Sequence, residues 1–285
     1  MIQVLDVGAN HGSFGLELAR RNPKATVHLI EPVPDIAKEL RSQCAAAELF
    51  NAFVHEVALG GGDGEADLHV SVLGDRGTTS MLLFDSDKIA RDPYWSHRSD
   101  LRHQVTVKVP TFRLCTFMEK QGIERIDFIK IDVQGLDLDV LMSAGDRIGS
   151  IRAGMLEVPT VEKNALYIGE QQNLRTALNF LEETGFKAMA VKPNDPACNE
   201  VNIFFTSEPD KWDADVVAWG LQGLPAFDGK HYWHAYSASP LYADDLNRQL
   251  HIENQRLLAR IDELDTEIRR LNAYIKLQDH KFQER

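Results

Sequence analysis

The sequence predicts an α/β fold: a doubly wound, mostly parallel sheet with an antiparallel end, followed by a long C-terminal coiled-coil helix. Strands and helices alternate over the first half of the chain, which is typical of a parallel sheet covered by helices. Two closely spaced apolar runs then favour a closing antiparallel pair of strands. Beyond them, apolar residues recur at steps of three and four, which is typical of one long helix.

The elements of the sheet follow from the spacing of apolar residues. Short apolar runs bounded by turns predict strands at 3–7, 27–30, 51–59, 66–72, 105–109, 126–133, 151–157, 186–191 and 200–205. Apolar residues three and four apart predict helices at 12–22, 34–44, 136–144 and 170–184. In the second helix, for example, Ile36, Ala37 and Leu40 share one face, and Gly185 stops the last one. A glycine-rich turn at 60–64 ends the third strand, after which the runs alternate as half-buried antiparallel strands do.

This pattern predicts three parts in the chain. Residues 1–207 form one α/β domain, and residues 208–238, with scattered aromatics, prolines and glycines, form a neck. Residues 239–285 form a helix with isoleucines at a and leucines at d over 247–282, which favours a parallel two-stranded coiled coil. We expect the coiled coil to pair with a second copy of the chain or with a partner protein. The alternative is a long amphipathic helix folded back on the domain.

Composition excludes several classes of function. The chain has 285 residues, of which 44% are hydrophobic and 26% charged, as in ordinary soluble domains. A net charge of −12 disfavours nucleic acid as the main partner. Neither a membrane-spanning stretch nor a signal pattern is visible, so we expect a cytoplasmic protein without membrane insertion. The three cysteines lie far apart, so neither a zinc site nor a disulfide framework is predicted.

The first strand runs directly into a loop with the motif Asp6-Val7-Gly8-Ala9-Asn10-His11-Gly12. Such a turn opens a nucleotide-type site at the carboxyl end of the first strand of a doubly wound sheet. Asn10 and Ser13 stand where a dinucleotide-binding G-x-G-x-x-G has its second and third glycines, so a nicotinamide dehydrogenase is disfavoured. A ligand without phosphates, with a cationic centre and an amino group, suits this loop better. S-adenosylmethionine is such a ligand.

A second motif lies in the buried strand at 126–133. Asp132 ends the fourth main strand, at the edge where ligands bind in open α/β sheets. Together with Asp6 and Glu31 it brings three acids to that edge. Lys130 and Asp132 interrupt an otherwise apolar strand, so we expect them to be paired or functional.

These two motifs resemble those of the FkbM family of S-adenosylmethionine-dependent methyltransferases. That family shows a D-V-G-A-N-x-G opening and a later I-K-I-D-V-E/Q-G segment, which this chain has at 6–12 and 129–135 in the same order. The resemblance extends over about residues 2–206 and leaves the neck and the coiled coil outside. It implies a Rossmann-like class I methyltransferase sheet and S-adenosylmethionine as cofactor.

The resemblance also assigns the cofactor-binding residues. Gly8 and Gly12 let the backbone approach the methionine part, and Glu31 can accept both ribose hydroxyls. Asp6 and Asn10 offer polar contacts to the amino group. The adenine is flanked by Val57 and Ala58.

Two carboxylates are candidates for the chemistry. Methyl transfer from a sulfonium to an alcohol is helped by a general base. Asp132 is the first candidate for that base or for orienting the acceptor, and Glu157 is the second. Both could instead hold a divalent metal, but no further ligand spacing supports one, so no metal site is predicted.

The acceptor is expected to contact the long segment between the alternating strands, residues 85–104. Such insertions are often lids or binding loops, although this one could also be a surface excursion with its own small core. Aromatic rings with arginines and histidines suit a sugar, whose apolar face stacks on rings. The candidate acceptor-binding residues are Tyr94, Trp95, His97, Arg98, Arg102 and His103.

The function predicted from these motifs is O-methylation of a hydroxyl, in a sugar of a bacterial surface glycan or glycoconjugate. The glycan preference comes from the resemblance, whose members also methylate natural-product scaffolds. The protein could then work at the periphery of a glycan-synthesis complex. The alternative from another class is a coiled-coil assembly protein that carries a methyltransferase-like domain.

Overall fold

The computed structural model describes residues 2–71, 76–92, 95–97, 101, 105–162, 165–169, 172–194 and 198–228, without the side chain of His97. Ten strands are described: β1 (Ile2–Val7), β2 (Ala25–Ile30), β3 (Ala52–His55), β4 (Ala58–Leu59), β5 (Gly64–Val70), β6 (Val105–Phe112), β7 (Phe128–Ile131), β8 (Ala153–Pro159), β9 (Lys187–Pro193) and β10 (Glu200–Thr206). The α-helices among these residues are α1 (Gly15–Arg21), α2 (Pro34–Ala46), α3 (Ser86–Arg91), α4 (Leu114–Lys120), α5 (Asp137–Met142), α6 (Leu174–Glu183), α7 (Trp212–Trp219) and α8 (Pro225–Asp228).

Seven strands form the main sheet in the order β3-β2-β1-β7-β8-β10-β9. The pairs from β3 to β8 are parallel, and β10 is antiparallel to both of its neighbours. The predicted α/β sheet with an antiparallel end is therefore confirmed. The chain winds outward from β1 to β3 and then returns to β7 on the other side of β1. This reversal opens a crevice at the carboxyl ends of β1 and β7, where such sheets bind ligands.

The single strand predicted at 51–59 is wrong, because the structure splits it into β3 and β4. β3 pairs with β2 at the edge of the main sheet, whereas β4 belongs to a second sheet of order β4-β6-β5. β4 pairs in parallel with β6 through Ala58 and Leu59, and Gly60 N continues this pairing by donating to Phe112 O (3.0 Å). Both residues of β4 are buried, with Ala58 4% and Leu59 1% exposed.

Two apolar layers cover the main sheet, one on each face. Because side chains alternate along a strand, Val4 and Phe128 face one layer while Leu5 and Ile129 face the other. Helices α1, α2 and α7 pack on the first layer, and α4, α5 and α6 pack on the second. No helix among the described residues is long and apolar enough to cross a membrane.

The described part of the predicted neck, residues 208–228, packs against the sheet. Trp219 at the end of α7 is 2% exposed, and its ring centroid lies 6.1 Å from that of Phe128. Asn22 Nδ2 donates to Trp219 O (2.9 Å), which joins the ends of α1 and α7. The rest of the neck, and the coiled coil at 239–285, lie outside the described residues. The domain boundary at 207 stays a prediction.

The packing of α7 predicts that Trp219→Ala destabilises the α/β domain. Truncating a buried aromatic side chain costs about 3–5 kcal/mol of unfolding free energy, measured here by urea denaturation. Val217→Ala on the same helix is the matched control, because Val217 is 62% exposed and should change little. Equal stability of the two variants would show that α7 contributes nothing to the domain.

Candidate functional site

A cavity lies at the carboxyl ends of β1, β2 and β7. The second sheet and the segment after β5 close its far side. Its lining consists of Val7, Gly8, Asn10, Ile30, Glu31, Pro32, Val33, Ile36, Val57, Ala58, Leu59, Leu68, Arg76, Gly77, Thr79, Met81, Asp132, Val133 and Gln134.

The loop after β1 is folded tightly against β7. Gly8 has a φ of +76°, and a Cβ there would lie 1.9 Å from the carbonyl oxygen of Asp132, so only glycine fits. The backbone N–H groups of Gly8 and Ala9 both donate to Ile30 O at 3.0 Å. The loop therefore lies directly between the ends of β2 and β7.

Asn10 and Glu31 form the polar wall of the cavity. Asn10 N donates to Glu31 Oε2, and Val33 N donates to Glu31 Oε1, both at 2.8 Å. The Oδ1 atom of Asn10 is buried and has no hydrogen-bond partner among the described residues. Burial raises the pKa of Glu31 to about 7, although the two N–H donors oppose the shift. Asn10, with its unpaired acceptor Oδ1, and Glu31, with its buried carboxylate, therefore line the same cavity.

Asp6 and Asp132, from the two sequence motifs, share the ammonium group of Lys130. Lys130 Nζ lies 3.4 Å from Asp6 Oδ1 and 3.2 Å from Asp132 Oδ2, so the expected pairing inside this strand is confirmed. Burial favours the neutral amine, but the two carboxylates outweigh it and raise the pKa of Lys130. Asp6 is fully buried, and its Oδ2 accepts from Gly15 N at 2.9 Å. Burial raises the pKa of Asp6, which Lys130 opposes.

Of the two carboxylates that share Lys130, Asp132 is the accessible one, with 31% of its side chain exposed. Gln134 Nε2 donates to Asp132 Oδ1 at 2.9 Å, so each carboxylate oxygen has its own donor. Gln134 in turn accepts a hydrogen bond from Tyr167 through its Oε1 at 3.0 Å. Ser80 Oγ donates to the Gln134 carbonyl at 2.6 Å. Segments near 80 and 167 are thereby attached to the loop that carries Asp132.

Glu157, the second predicted catalytic residue, lies deeper at the same edge. It is 7% exposed, and Asn194 Nδ2 donates to its Oε2. Burial raises the pKa of Glu157 well above its ordinary value, and the charges of Glu200, Asp132 and Asp137 add to the shift. Asp137 accepts hydrogen bonds from the backbone N–H groups of both Val133 and Glu157 at 3.4 Å, which holds the two carboxylate-bearing segments together.

The structure places the other predicted cofactor residues as follows. Val57 and Ala58 line the cavity, as Gly8, Asn10 and Glu31 do. Gly12 and Asp6 lie outside the lining. Gly12 packs against Leu16 and Leu40 with a φ of +81°, and Asp6 lies beneath the loop.

Of the predicted acceptor residues, only Trp95 is described with its side chain. It is 4% exposed and belongs to a small apolar cluster with Phe84, Ile89, Leu101, Leu166 and Tyr167. The described part of the insertion therefore packs, through Ile89, Trp95 and Leu101, against residues from other segments of the chain. The side chain of His97 and all of Tyr94, Arg98, Arg102 and His103 lie outside the described residues.

The sequence reasoning missed the far wall of the cavity. Leu68 on β5 and Arg76, Thr79 and Met81 after it also line the pocket. Nothing in their own pattern distinguishes them from a surface loop, because their role depends on how the second sheet folds over the first.

The comparison with known protein families covers the residues of this site. Residues 6–188 match the methyltransferase FkbM domain. The chain belongs to the FkbM methyltransferase family. The matched region begins at Asp6 and includes β7 with Asp132, so both parts of the site lie within the FkbM domain.

The sequence identities to individual proteins are low to moderate. The chain is 32% identical over 184 residues to the AMB antimetabolite synthetase AmbE of Pseudomonas aeruginosa, over 54% of this chain and 8% of AmbE. It is 30% identical over 181 residues to the 2-O-methyltransferase NoeI of Sinorhizobium fredii, over 62% of this chain and 70% of NoeI. Among solved structures, the N-terminal domain of EvdMO1 with SAH bound aligns with a TM-score of 0.38 at 10% identity, over 72% of this chain and 73% of that one.

The residues of the cavity fit the cofactor of the family, S-adenosylmethionine. The buried Asn10 Oδ1 lacks a donor among the described residues, which an amino group can supply, and both Gly8 and Asn10 line the cavity. The described residues contain no group of three or more side chains that could hold a metal ion.

The shared ammonium predicts that Lys130→Met strongly destabilises the FkbM domain. It leaves Asp6 buried without a cation, which costs about 3–5 kcal/mol in comparable cases. Urea denaturation measures the loss, and the double variant Asp6→Asn, Lys130→Met should recover part of it. Lys108→Met, which breaks the exposed pair with Asp67, should leave the midpoint nearly unchanged. Equal midpoints for Lys130→Met and the wild type would refute the assigned ion pairs.

Proposed function

We propose that this FkbM protein transfers a methyl group from S-adenosylmethionine to a hydroxyl, in a sugar of a bacterial surface glycan or glycoconjugate. The observation that carries the proposal is Asp132, a partly exposed carboxylate that lines the cavity while Lys130 and Gln134 hold its two oxygens. The naming of NoeI as a 2-O-methyltransferase supports oxygen as the acceptor atom.

In this proposal, the chain holds the cofactor through the loop after β1 and the wall opposite it. Asn10 Oδ1 accepts from the amino group, and Glu31 accepts from the ribose hydroxyls. Val57 and Ala58 flank the adenine, with Met81 and Leu68 behind it. Asp6 acts beneath the loop by holding Gly15 N and Lys130.

The reaction needs positioning and the removal of one proton. S-adenosylmethionine supplies a methyl group already activated on a sulfonium, so orientation accounts for much of the rate. Asp132 orients the acceptor hydroxyl and takes its proton as the new oxygen–carbon bond forms. Its two fixed donors keep the carboxylate in one orientation, which favours a single approach of the hydroxyl. Glu157, which is buried, is the second candidate for the residue that takes this proton.

A natural-product scaffold is the second candidate acceptor, which the similarity to the antimetabolite synthetase AmbE favours. An assembly role for the predicted coiled coil at 247–282, by self-association or with a partner protein, is compatible with either acceptor. That segment lies outside the described residues. We expect a cytoplasmic location, with or without attachment to a glycan-synthesis complex.

Asp132→Asn is predicted to separate cofactor binding from turnover. Calorimetry should show wild-type-like binding of S-adenosylmethionine, whereas SAH formation with a panel of sugar and glycan acceptors should fall by about 10²-fold or more. The panel is run with and without magnesium, and Asp67→Asn on the exposed face of β5 is the control. Wild-type turnover by Asp132→Asn would remove Asp132 from the reaction, and no binding of S-adenosylmethionine by the wild type at millimolar concentration would end the proposal.

The raised pKa of Glu31 predicts pH-dependent cofactor binding. Only the ionised carboxylate can accept both ribose hydroxyls, and burial places its pKa at about 7. The Kd of S-adenosylmethionine should therefore rise as the pH falls through 7, approaching about tenfold per pH unit. Glu31→Gln should bind more weakly and lose this dependence. A wild-type Kd that changes with pH no more than that of Glu31→Gln would refute the role of Glu31.

A further inference from the structure

Gln134 lines the cavity, and both ends of its side-chain amide are engaged by neighbouring side chains. Its Nε2 donates to Asp132 Oδ1 at 2.9 Å, and its Oε1 accepts from the Tyr167 hydroxyl at 3.0 Å. An ionised carboxylate only accepts hydrogen bonds, whereas a neutral phenol can donate one, so a single orientation of the amide satisfies both neighbours. The Gln134 side chain therefore connects Tyr167 to the carboxylate that is the proposed base.

The backbone of Gln134 has an uncommon conformation. Its φ is +62°, in the left-handed region that residues other than glycine rarely adopt. Ser80 Oγ donates to the Gln134 carbonyl at 2.6 Å and accepts from Leu82 N at 3.0 Å, so the segment after β5 holds this backbone. Such backbone strain persists where the surroundings enforce it, and it is concentrated at functional sites. In this conformation the Gln134 side chain reaches back to Asp132, two residues earlier in the chain.

Tyr167, the other partner of the amide, is fixed by close packing. It is 1% exposed, and its ring stacks on that of Phe84 with the centroids 5.0 Å apart and 15° between the planes. Gly135 lies against the same ring, because a Cβ at this position would lie 2.7 Å from Tyr167 Cδ2. A larger residue at 135 would displace the tyrosine. The glycine that follows Gln134 thus lets the Tyr167 hydroxyl approach the amide.

The amide holds the oxygen of Asp132 that Lys130 does not. Lys130 Nζ lies 3.2 Å from Asp132 Oδ2, and Gln134 Nε2 holds Oδ1. The terminal torsion of an aspartate side chain has a broad energy minimum, so a carboxylate that is held at one oxygen can rotate. A hydrogen bond to the ionised form also favours that form. Loss of the amide would therefore change both the orientation of the Asp132 carboxylate and its affinity for a proton.

We propose that Gln134 is a positioning residue for the methyl transfer, which holds Asp132 as an oriented carboxylate, and that Tyr167 acts on Asp132 through the Gln134 amide. The inference rests on the proposed function, and it adds the two residues that prepare the base. Neither residue needs to touch the cofactor or the acceptor in this role. A role in binding either of them would give a different kinetic result.

The titration of the Asp132 carboxyl group tests the contact without any acceptor. The full chain is labelled with ¹³C at its aspartate carboxyl carbons, and the Asp132 signal is the one that Asp132→Asn lacks. Gln134→Met keeps the length of the side chain but removes the donor, so the titration midpoint of Asp132 should rise by about one pH unit. Tyr167→Phe should raise the midpoint by less, because the amide remains but is no longer held.

A double variant tests whether Tyr167 acts through Gln134. Adding Tyr167→Phe to Gln134→Met should raise the midpoint no further, because the hydroxyl has already lost the amide on which it acts. Gln134→Met leaves in place the ionisable groups that interact electrostatically with Asp132, which are Asp6, Lys130, Asp137, Glu157 and Tyr167.

Gln43→Met is the matched control for the loss of an amide–carboxylate hydrogen bond. Gln43 Nε2 donates to Glu39 Oε1 at 3.1 Å on the exposed side of α2. This variant should leave the Asp132 titration and the turnover unchanged.

Turnover separates positioning from binding. With the sugar and glycan acceptors that the wild type methylates, SAH formation should give a kcat about tenfold lower in Gln134→Met. The KM of S-adenosylmethionine should stay nearly unchanged, because a residue that only positions the base adds no binding energy for the cofactor. If Gln134→Met does not fold, Tyr167→Phe decides, since it removes only a hydroxyl from a ring that stays in place.

The outcomes separate this inference from the proposed function. An Asp132 midpoint that is the same in the wild type, Gln134→Met and Tyr167→Phe would overturn the inference. Additive shifts in the double variant, wild-type kcat despite shifted midpoints, or a loss confined to KM would overturn it too. Shifted midpoints in a chain that does not bind S-adenosylmethionine would support the positioning of Asp132 and refute the proposed function.

Discussion

The site depends on one buried cation. Lys130 lies inside the sheet, where an unpaired ammonium would be strongly unfavourable, and the carboxylates of Asp6 and Asp132 make its burial possible. Because Asp6 also holds Gly15 N, the same charge connects β7 to the start of α1. The close approach of Gly8 to the Asp132 carbonyl follows from this arrangement, since the loop after β1 has to lie against the end of β7. The same buried ion pairs therefore connect two motifs that lie more than a hundred residues apart in the sequence.

The environments of Asp132 and Glu157 differ in a way that separates their roles. Asp132 is partly exposed and has an ammonium and an amide as donors, which hold its carboxylate in one orientation. Glu157 is buried among other acids, which favours its protonated form. Paired carboxyl groups in enzymes are often distinguished in this way by solvation and neighbouring charge.

Much of the fold and half of the site could be predicted from the sequence, because the relevant signals are local. Apolar runs give the strands, and the acids at their ends, such as Asp6, Glu31 and Asp132, meet wherever parallel strands end at one edge. The break between β3 and β4 could not be predicted, since no turn residue separates the apolar residues on either side of His55 and Glu56, and the pairing of Ala58 with the second sheet divides the segment. The same holds for Met81, whose place in the cavity depends on that sheet.

Unpaired buried polar atoms add information that neither the sequence motifs nor the spacing of apolar residues contains. A folded chain pairs its buried polar groups wherever it can, because each unpaired one opposes folding by about 1–3 kcal/mol. Asn10 at the cofactor cavity and Asn194 and Asn202 beside Glu157 depart from that rule at the same edge of one sheet. Departures from local consistency concentrate where function requires them. In the cofactor cavity the missing partner is a donor, which the amino group of the proposed cofactor would supply.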